Sequence, residues 1–260
     1  MDKKKLIKDI KLFVLDMDGT IYLGNKVLPG AIDFVESARK SGRRVVFFTN
    51  NASRNPQNYV DKLERMGFGA TRADVVTAGD VTIEFLKRHR PGKKVYLVGT
   101  KALEKSFAEN GIELCEKADI VVTSFDTELT YEKLVIACDL IRNGAEYLCT
   151  HPDFNCPTET GFIPDSGAIA ALVTASTGVK PKYFGKPYRE TADMISELFG
   201  TPFEKTAVVG DRLYTDIALG KNNGLLSILV LTGETKIDDV NNSNAPDIIL
   251  DGIGDIKKYF

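Results

Sequence analysis

With 260 residues, 43% of them hydrophobic and 27% charged, the chain is long enough for one large domain or two modest ones with a real core. Its formal net charge of -2 offers no basic surface, which argues against nucleic acid or an anionic membrane as the main partner. The lysine-rich start, Met1 to Lys11, lacks the apolar stretch of a signal peptide, and no run elsewhere approaches membrane-spanning length.

The first strand signal is Leu12-Phe13-Val14-Leu15, four apolar residues in a row that read as a strand buried on both faces of a parallel sheet. A helical pattern over Ala31 to Lys40 follows, then a strand over Val45 to Thr49 and a helix over Pro56 to Met66. Further strands are expected at Val95 to Val98, Ile120 to Thr123 and Tyr147 to Thr150, with a helix over Tyr131 to Arg142. The last third carries a helix over Glu190 to Phe199 and strands at Ala207 to Val209, Leu226 to Leu231 and Ile248 to Leu250. Gly42, Gly67 and Gly200 stand where left-handed helix ends belong. This alternation predicts an α/β fold of parallel sheets joined by right-handed crossovers. Gly- and Pro-containing tracts at Arg90-Pro91-Gly92 and Gly178-Val179-Lys180-Pro181 bracket a segment with strands and helices of its own, as a second domain inserted into the first would have. Cys115, Cys138, Cys149 and Cys156 show no Cys-x-x-Cys pair and read as buried, reduced thiols in preference to a zinc site, which points to the cytoplasm.

Four polar clusters follow apolar strands, where open α/β sheets hold their ligands. Asp16-Met17-Asp18-Gly19-Thr20 sets two carboxylates two residues apart before a flexible glycine: a metal-held nucleophile with a proton donor beside it, or an ordinary acidic turn. Thr49-Asn50-Asn51 offers a hydroxyl and two amides to a phosphate, and the same residues serve turns and helix caps. In Gly185-Lys186-Pro187 the lysine lies between two residues that restrict the backbone, and its ammonium can neutralise a phosphate or a carboxylate nucleophile. In Gly210-Asp211-Arg212-Leu213-Tyr214-Thr215-Asp216, Asp211 suits a direct Mg2+ ligand. Asp216 is read at the start of the next helix, holding metal-bound water and Lys186 in preference to merely favouring the helix dipole.

Taken in this order, the four clusters resemble the haloacid dehalogenase (HAD) superfamily, and more narrowly the branch of NagD and the para-nitrophenyl and pyridoxal phosphate phosphatases. The resemblance implies a Rossmann-like, doubly wound parallel sheet core at about 1–80 and 180–260, with an inserted α/β cap at about 81–179. Asp16 would attack phosphorus to form an aspartyl-phosphate, while Asp18 would act as acid and base and bind the metal through its carbonyl. Thr49 and Asn50 would hold the phosphoryl group and Lys186 would offset its charge. Mg2+ would sit on Asp16, Asp18 and Asp211, with Asp216 in support. Asp18 argues for phosphoryl transfer over dehalogenation. The short stretch from Asp18 to Thr49 leaves no room for the helical cap of sugar-phosphate mutases.

His151, in His151-Pro152-Asp153, is a candidate contact to the leaving group by analogy with the branch, or else a histidine packed in a turn; Asp165-Ser166 reads equally as a helix cap. His89, within the basic stretch Lys87 to Arg90, is expected to be solvated. The expected function is Mg2+-dependent hydrolysis of small phosphomonoesters such as nucleotide, sugar, glycerol, pyridoxal or para-nitrophenyl phosphates. The alternatives are a phosphotransferase using an organic acceptor and a non-catalytic phosphate-ligand binding protein. A homodimer through the cap is expected from the family.

Overall fold

The computed structural model describes residues 3–158 and 160–260. In chain order its first elements are α1 (Lys3–Ile7), β1 (Leu12–Leu15), β2 (Tyr22–Leu23), β3 (Lys26–Val27), α2 (Ala31–Lys40), β4 (Arg44–Thr49), α3 (Pro56–Arg65) and β5 (Val75–Thr77). Then come α4 (Ala78–His89), β6 (Val95–Val98), α5 (Lys101–Glu109), β7 (Ile120–Thr123), α6 (Tyr131–Arg142), β8 (Glu146–Cys149), β9 (Asn155–Thr158), β10 (Gly161–Pro164) and α7 (Ser166–Thr177). The chain closes with β11 (Lys182–Tyr183), α8 (Arg189–Phe199), β12 (Thr206–Gly210), α9 (Ala218–Asn223), β13 (Leu226–Val230) and β14 (Ile248–Leu250).

By packing, the chain divides into two units: 1–49, 56–76 and 186–260 form one, and 50–55 with 77–185 form the other. The first is built on a six-stranded sheet in the order β14-β13-β12-β1-β4-β5. β1 pairs in parallel with both β12 and β4, placing Leu12 opposite Thr206 and Arg44. The chain runs outward from β1 through β4 to β5, then returns to the other side of β1 for β12, β13 and β14. That reversal puts a topological switch point between β1 and β12.

Both faces of this sheet are covered, which explains the unbroken apolar runs. Phe13, Leu15, Val45, Phe47, Ala207 and Val209 share one core with Phe34 and Val35 of α2 and Leu63 of α3. The alternate residues Leu12, Val14, Val46, Phe48 and Val208 are as deeply buried and point to the opposite face, where α9 packs on β12 and β13. Helix α2 forms because Ala31, Phe34, Val35 and Ala38 fall on one stripe. It ends where Gly42 takes φ +77°.

The inserted unit has a four-stranded parallel sheet in the order β11-β8-β7-β6 and a separate antiparallel hairpin of β9 and β10. Its core gathers Val98, Val121 and Tyr147 from the sheet, Leu134, Ala137, Cys138 and Ile141 from α6, and Ile169 and Val173 from α7. The Tyr147 hydroxyl is satisfied by Thr123 Oγ1 at 3.2 Å. Segment 50–55, which no change of composition marks, belongs to this unit. All four cysteines are free thiols, with Cys138 and Cys149 buried and Cys115 and Cys156 half-buried. His89 is exposed, its ring 5.0 Å from that of Phe85.

Candidate active site

In the first unit the loops leaving β1 and β12 meet at the switch point. The Asp16 N–H donates to Val209 O at 2.9 Å, so the neighbouring strand sets where this carboxylate begins. Three residues on, Gly19 takes φ +90°, and a Cβ there would lie 2.5 Å from Asp211 Oδ2. Only glycine lets the two loops approach this closely.

Lys186 carries its ammonium into the same place with 3% of its surface exposed. Its Nζ donates to Asp16 Oδ1 at 2.6 Å and lies 2.7 Å from Asp216 Oδ1. Burial pulls the Lys186 pKa down, but the charges of Asp16 and Asp216 outweigh it and the net shift is upward, so the ammonium stays charged. Asp216 Oδ2 accepts from the Arg212 N–H at 3.2 Å. Asp216 lies in the first turn of the helical segment after β12, as expected from the sequence. That first turn, Leu213–Ile217, is wide, closed by the Ile217 N–H on Arg212 O, and runs directly into α9 at Ala218. Such π-type turns recur at functional sites, and this one directs Asp216 at the lysine.

Asp211 is 2% exposed. Its Oδ2 accepts from the Glu234 N–H at 2.7 Å, while buried Oδ1 has no hydrogen-bond partner among the described residues. Burial first, then the charges of Asp16 and Asp216, push the Asp211 pKa well up; Asp216 is raised chiefly by burial, against the pull of Lys186. One ammonium does not compensate three crowded carboxylates. Ligand oxygens of Asp16, Asp211 and Asp216 all lie within 4.8 Å of one another. Hard oxygen donors, surplus negative charge and one unpartnered buried oxygen fit a divalent cation.

Asp18 is the open member of the first pair. Although the residue is exposed overall, burial of its carboxyl raises the pKa, against the attraction of Lys62. Thr49 ends β4, next to β1 and on the same sheet edge, and is half-buried. Asp16, Lys186, Asp211 and Asp216 are thus brought together in one unit, with Asp18 and Thr49 on the loops and strand ends beside them.

Asn50 and His151 belong to the inserted unit. Asn50 Nδ2 donates to Asp153 Oδ2 at 3.1 Å. His151 is fully buried, with Nδ1 2.9 Å from Thr150 Oγ1 and Nε2 2.8 Å from Asp165 Oδ1. Both ring nitrogens are therefore engaged inside their own unit, and a leaving-group contact would require breaking one of these bonds. Asp165 is the N-cap of α7, accepting from the Ser166 N–H at 2.6 Å.

Sequence reasoning missed the loop after β13. Thr232 Oγ1 donates to Gly19 O at 2.6 Å, and the Glu234 N–H holds Asp211. Glu234 also pairs with Arg212 Nε at 3.0 Å. The signal was available, because Thr232-Gly233 follows an apolar run just as the other clusters do.

Comparison with known proteins agrees with this geometry. Residues 13–113 match the family model of the haloacid dehalogenase-like hydrolases, and residues 183–256 match a second, HAD-hydrolase-like model. The acid sugar phosphatase of Staphylococcus aureus (strain MRSA252) is 37% identical over 242 residues, covering 92% of this chain and 93% of that protein. The chain belongs to the haloacid dehalogenase-like hydrolases. The crystal structure of a 4-nitrophenylphosphatase from Thermotoga maritima superposes with a TM-score of 0.92 at 47% identity, over 97% of this chain and 98% of the other. A solved structure bearing the NagD name gives 0.86 at 48% identity, over 95% of each chain. Within the family the chain lies in the NagD-like branch and is a phosphatase with a Rossmann-like core and an inserted α/β cap. Enzymes of this family generally use a divalent metal, and the carboxylate cluster fits one. Among the described residues no helix is long and apolar enough to cross a membrane.

Proposed function

We propose that the protein is a Mg2+-dependent phosphatase of small phosphomonoesters that works through an aspartyl-phosphate on Asp16. The observation that carries this reading is the Lys186 bond to Asp16, which fixes the carboxylate at the tip of β1 among the other acids. Asp16 attacks phosphorus, the bond to the ester oxygen breaks, and Asp18 gives the departing oxygen its proton. Burial of the Asp18 carboxyl shifts its pKa upward, in the direction that favours the protonated acid. Ionised Asp18 then takes a proton from water as the water attacks phosphorus, releasing inorganic phosphate and restoring Asp16. Asp16, Asp211 and the Asp18 carbonyl would hold Mg2+, which would supply charge neutralisation between the anionic nucleophile and the anionic ester. Lys186 offsets charge on the transferring group, Asp216 keeps Lys186 in place, and Thr49 with Asn50 binds the phosphoryl oxygens.

The reading of small phosphomonoesters as substrates is supported by relatives named acid sugar phosphatase and 4-nitrophenylphosphatase, and nucleotide, sugar, glycerol and pyridoxal phosphates form the panel to screen. A cytoplasmic setting is supported by the four free thiols. A homodimer through the inserted unit is supported by Phe154 and Phe162, which are 59% and 76% exposed. Light scattering tests that assembly, and a monomer at assay concentration contradicts it. For the chemistry, Asp16→Asn should lower para-nitrophenyl phosphate hydrolysis by at least about 10^3-fold with an unchanged circular dichroism spectrum. Retention of substantial activity would remove Asp16 from the nucleophile role.

A further inference from the structure

The loop His151-Pro152-Asp153 is more heavily braced than a surface turn needs to be. The His151 ring is tied at both nitrogens, to Thr150 and to Asp165. Thr150 Oγ1 continues to Ser124 Oγ at 2.9 Å. The first turn of α7 clamps the loop backbone, with the Gly167 N–H donating to Asp153 O at 2.8 Å. A Cβ on Gly167 would stand 2.1 Å from Pro152 O, so nothing larger fits between helix and loop. The half-buried Asp153 carboxylate lies beside the His151–Asp165 pair, with ligand atoms of His151, Asp153 and Asp165 all within 4.8 Å of one another, and its Oδ2 accepts the Asn50 amide at 3.1 Å.

An ionised carboxylate can only accept hydrogen bonds. Facing Asp153, the Asn50 carboxamide must therefore present Nδ2 and turn Oδ1 the other way. Oδ1 is directed at Gly185, where a Cβ would lie 2.8 Å from it and 2.7 Å from His151 Cβ. Gly185 also takes φ +74°. Asn50 is thus gripped from both sides and is 7% exposed. Further along segment 50–55, Ser53 O accepts from Thr100 Oγ1 at 2.9 Å. The inserted unit holds this segment at two points.

We propose that Asp153 is a positioning residue of the phosphatase reaction: it fixes the Asn50 carboxamide, and with it the peptide joining Asn50 to Thr49. The His151–Asp165 pair braces Asp153 for that task. On this view His151 acts through Asp153, without touching the leaving group. The inference rests on the assignment of Thr49 and Asn50 to the phosphoryl group, and goes beyond it by naming what holds Asn50.

A double-mutant cycle in the full-length protein tests it, with para-nitrophenyl phosphate and Mg2+. Asp153→Ala and Asn50→Ala should each lower kcat/KM by about tenfold or more, and the double variant should be no worse than the poorer single one. Asp153→Asn, whose amide oxygen still accepts, should retain most of the activity. Losses that multiply in the double variant, or a wild-type-like Asp153→Ala, would overturn the proposal. Should Asp153→Ala fail to fold, the same cycle with Asp153→Asn decides: its smaller loss must vanish in the Asn50→Ala background, and persistence there overturns the proposal. Asp16→Asn, run alongside, reports separately on the aspartyl-phosphate reading. An inactive Asp16→Asn with an additive cycle would sink only the role of Asp153.

Discussion

Asp16, Asp211 and Asp216 carry more negative charge than Lys186 neutralises, and this imbalance is the main physical fact at the scale of single residues. Gly19 maintains the crowding: its φ of +90° and the 2.5 Å that a Cβ would leave to Asp211 make Gly19→Ala costly on both counts. That substitution should destabilise the protein by about 1–3 kcal/mol and raise the Mg2+ concentration needed for half-maximal activity. Thermal melts and a Mg2+ titration check it, and wild-type values in both would contradict the packing argument. The gathering of these residues is legible in the sequence because each follows a buried apolar run. The apolar run before Thr232 marks this loop too, but not what Thr232 and Glu234 do there: they act through a hydroxyl on a backbone carbonyl and through a backbone N–H, and backbone groups leave no residue-type signature.

The strands and helices named from the sequence lie within a residue or so of their observed bounds, because burial on both faces leaves continuous apolar runs and one-sided burial leaves stripes, whereas β5, α4 and α5 were not named. β1, β6, β7, β14, α2 and α6 fall where the pattern places them. Helix α7 is different in kind, since Ser166–Thr177 is small and apolar nearly all round and shows no stripe. Only Asp165-Ser166 announced it, as a cap. The β9–β10 hairpin gave no strand signal either, because its residues lack the alternation of a half-buried strand and β10 is exposed along its whole length. The core strands should be the least tolerant elements. Phe13, fully buried and edge-on to Phe34 at 5.2 Å, should cost about 3–5 kcal/mol as Phe13→Ala in denaturant unfolding. A loss below about 1 kcal/mol would mean that the site collapses around the cavity and that the core is less rigid than close packing implies.

For the molecule as a whole, the acid cluster couples stability to pH and to metal. The folded pKa of Asp211 lies above its unfolded value, through burial and then the charges of Asp16 and Asp216. Between those two pKa values the folded state holds more protons than the unfolded chain, so the contribution of this group to stability declines as pH rises through that window. A divalent cation replaces the missing protons, and protons compete with it. The rise in melting temperature on adding Mg2+ to EDTA-treated protein should therefore be larger at neutral than at mildly acid pH, and equal rises would contradict the charge argument. The central claim, that Asp16 is phosphorylated during turnover, is tested most directly by acid-quenching the enzyme with substrate, reducing it with borohydride and mapping the product by mass spectrometry. Conversion of residue 16 to homoserine is the expected result. An unmodified Asp16 under conditions of rapid turnover, or conversion at another aspartate, would contradict it.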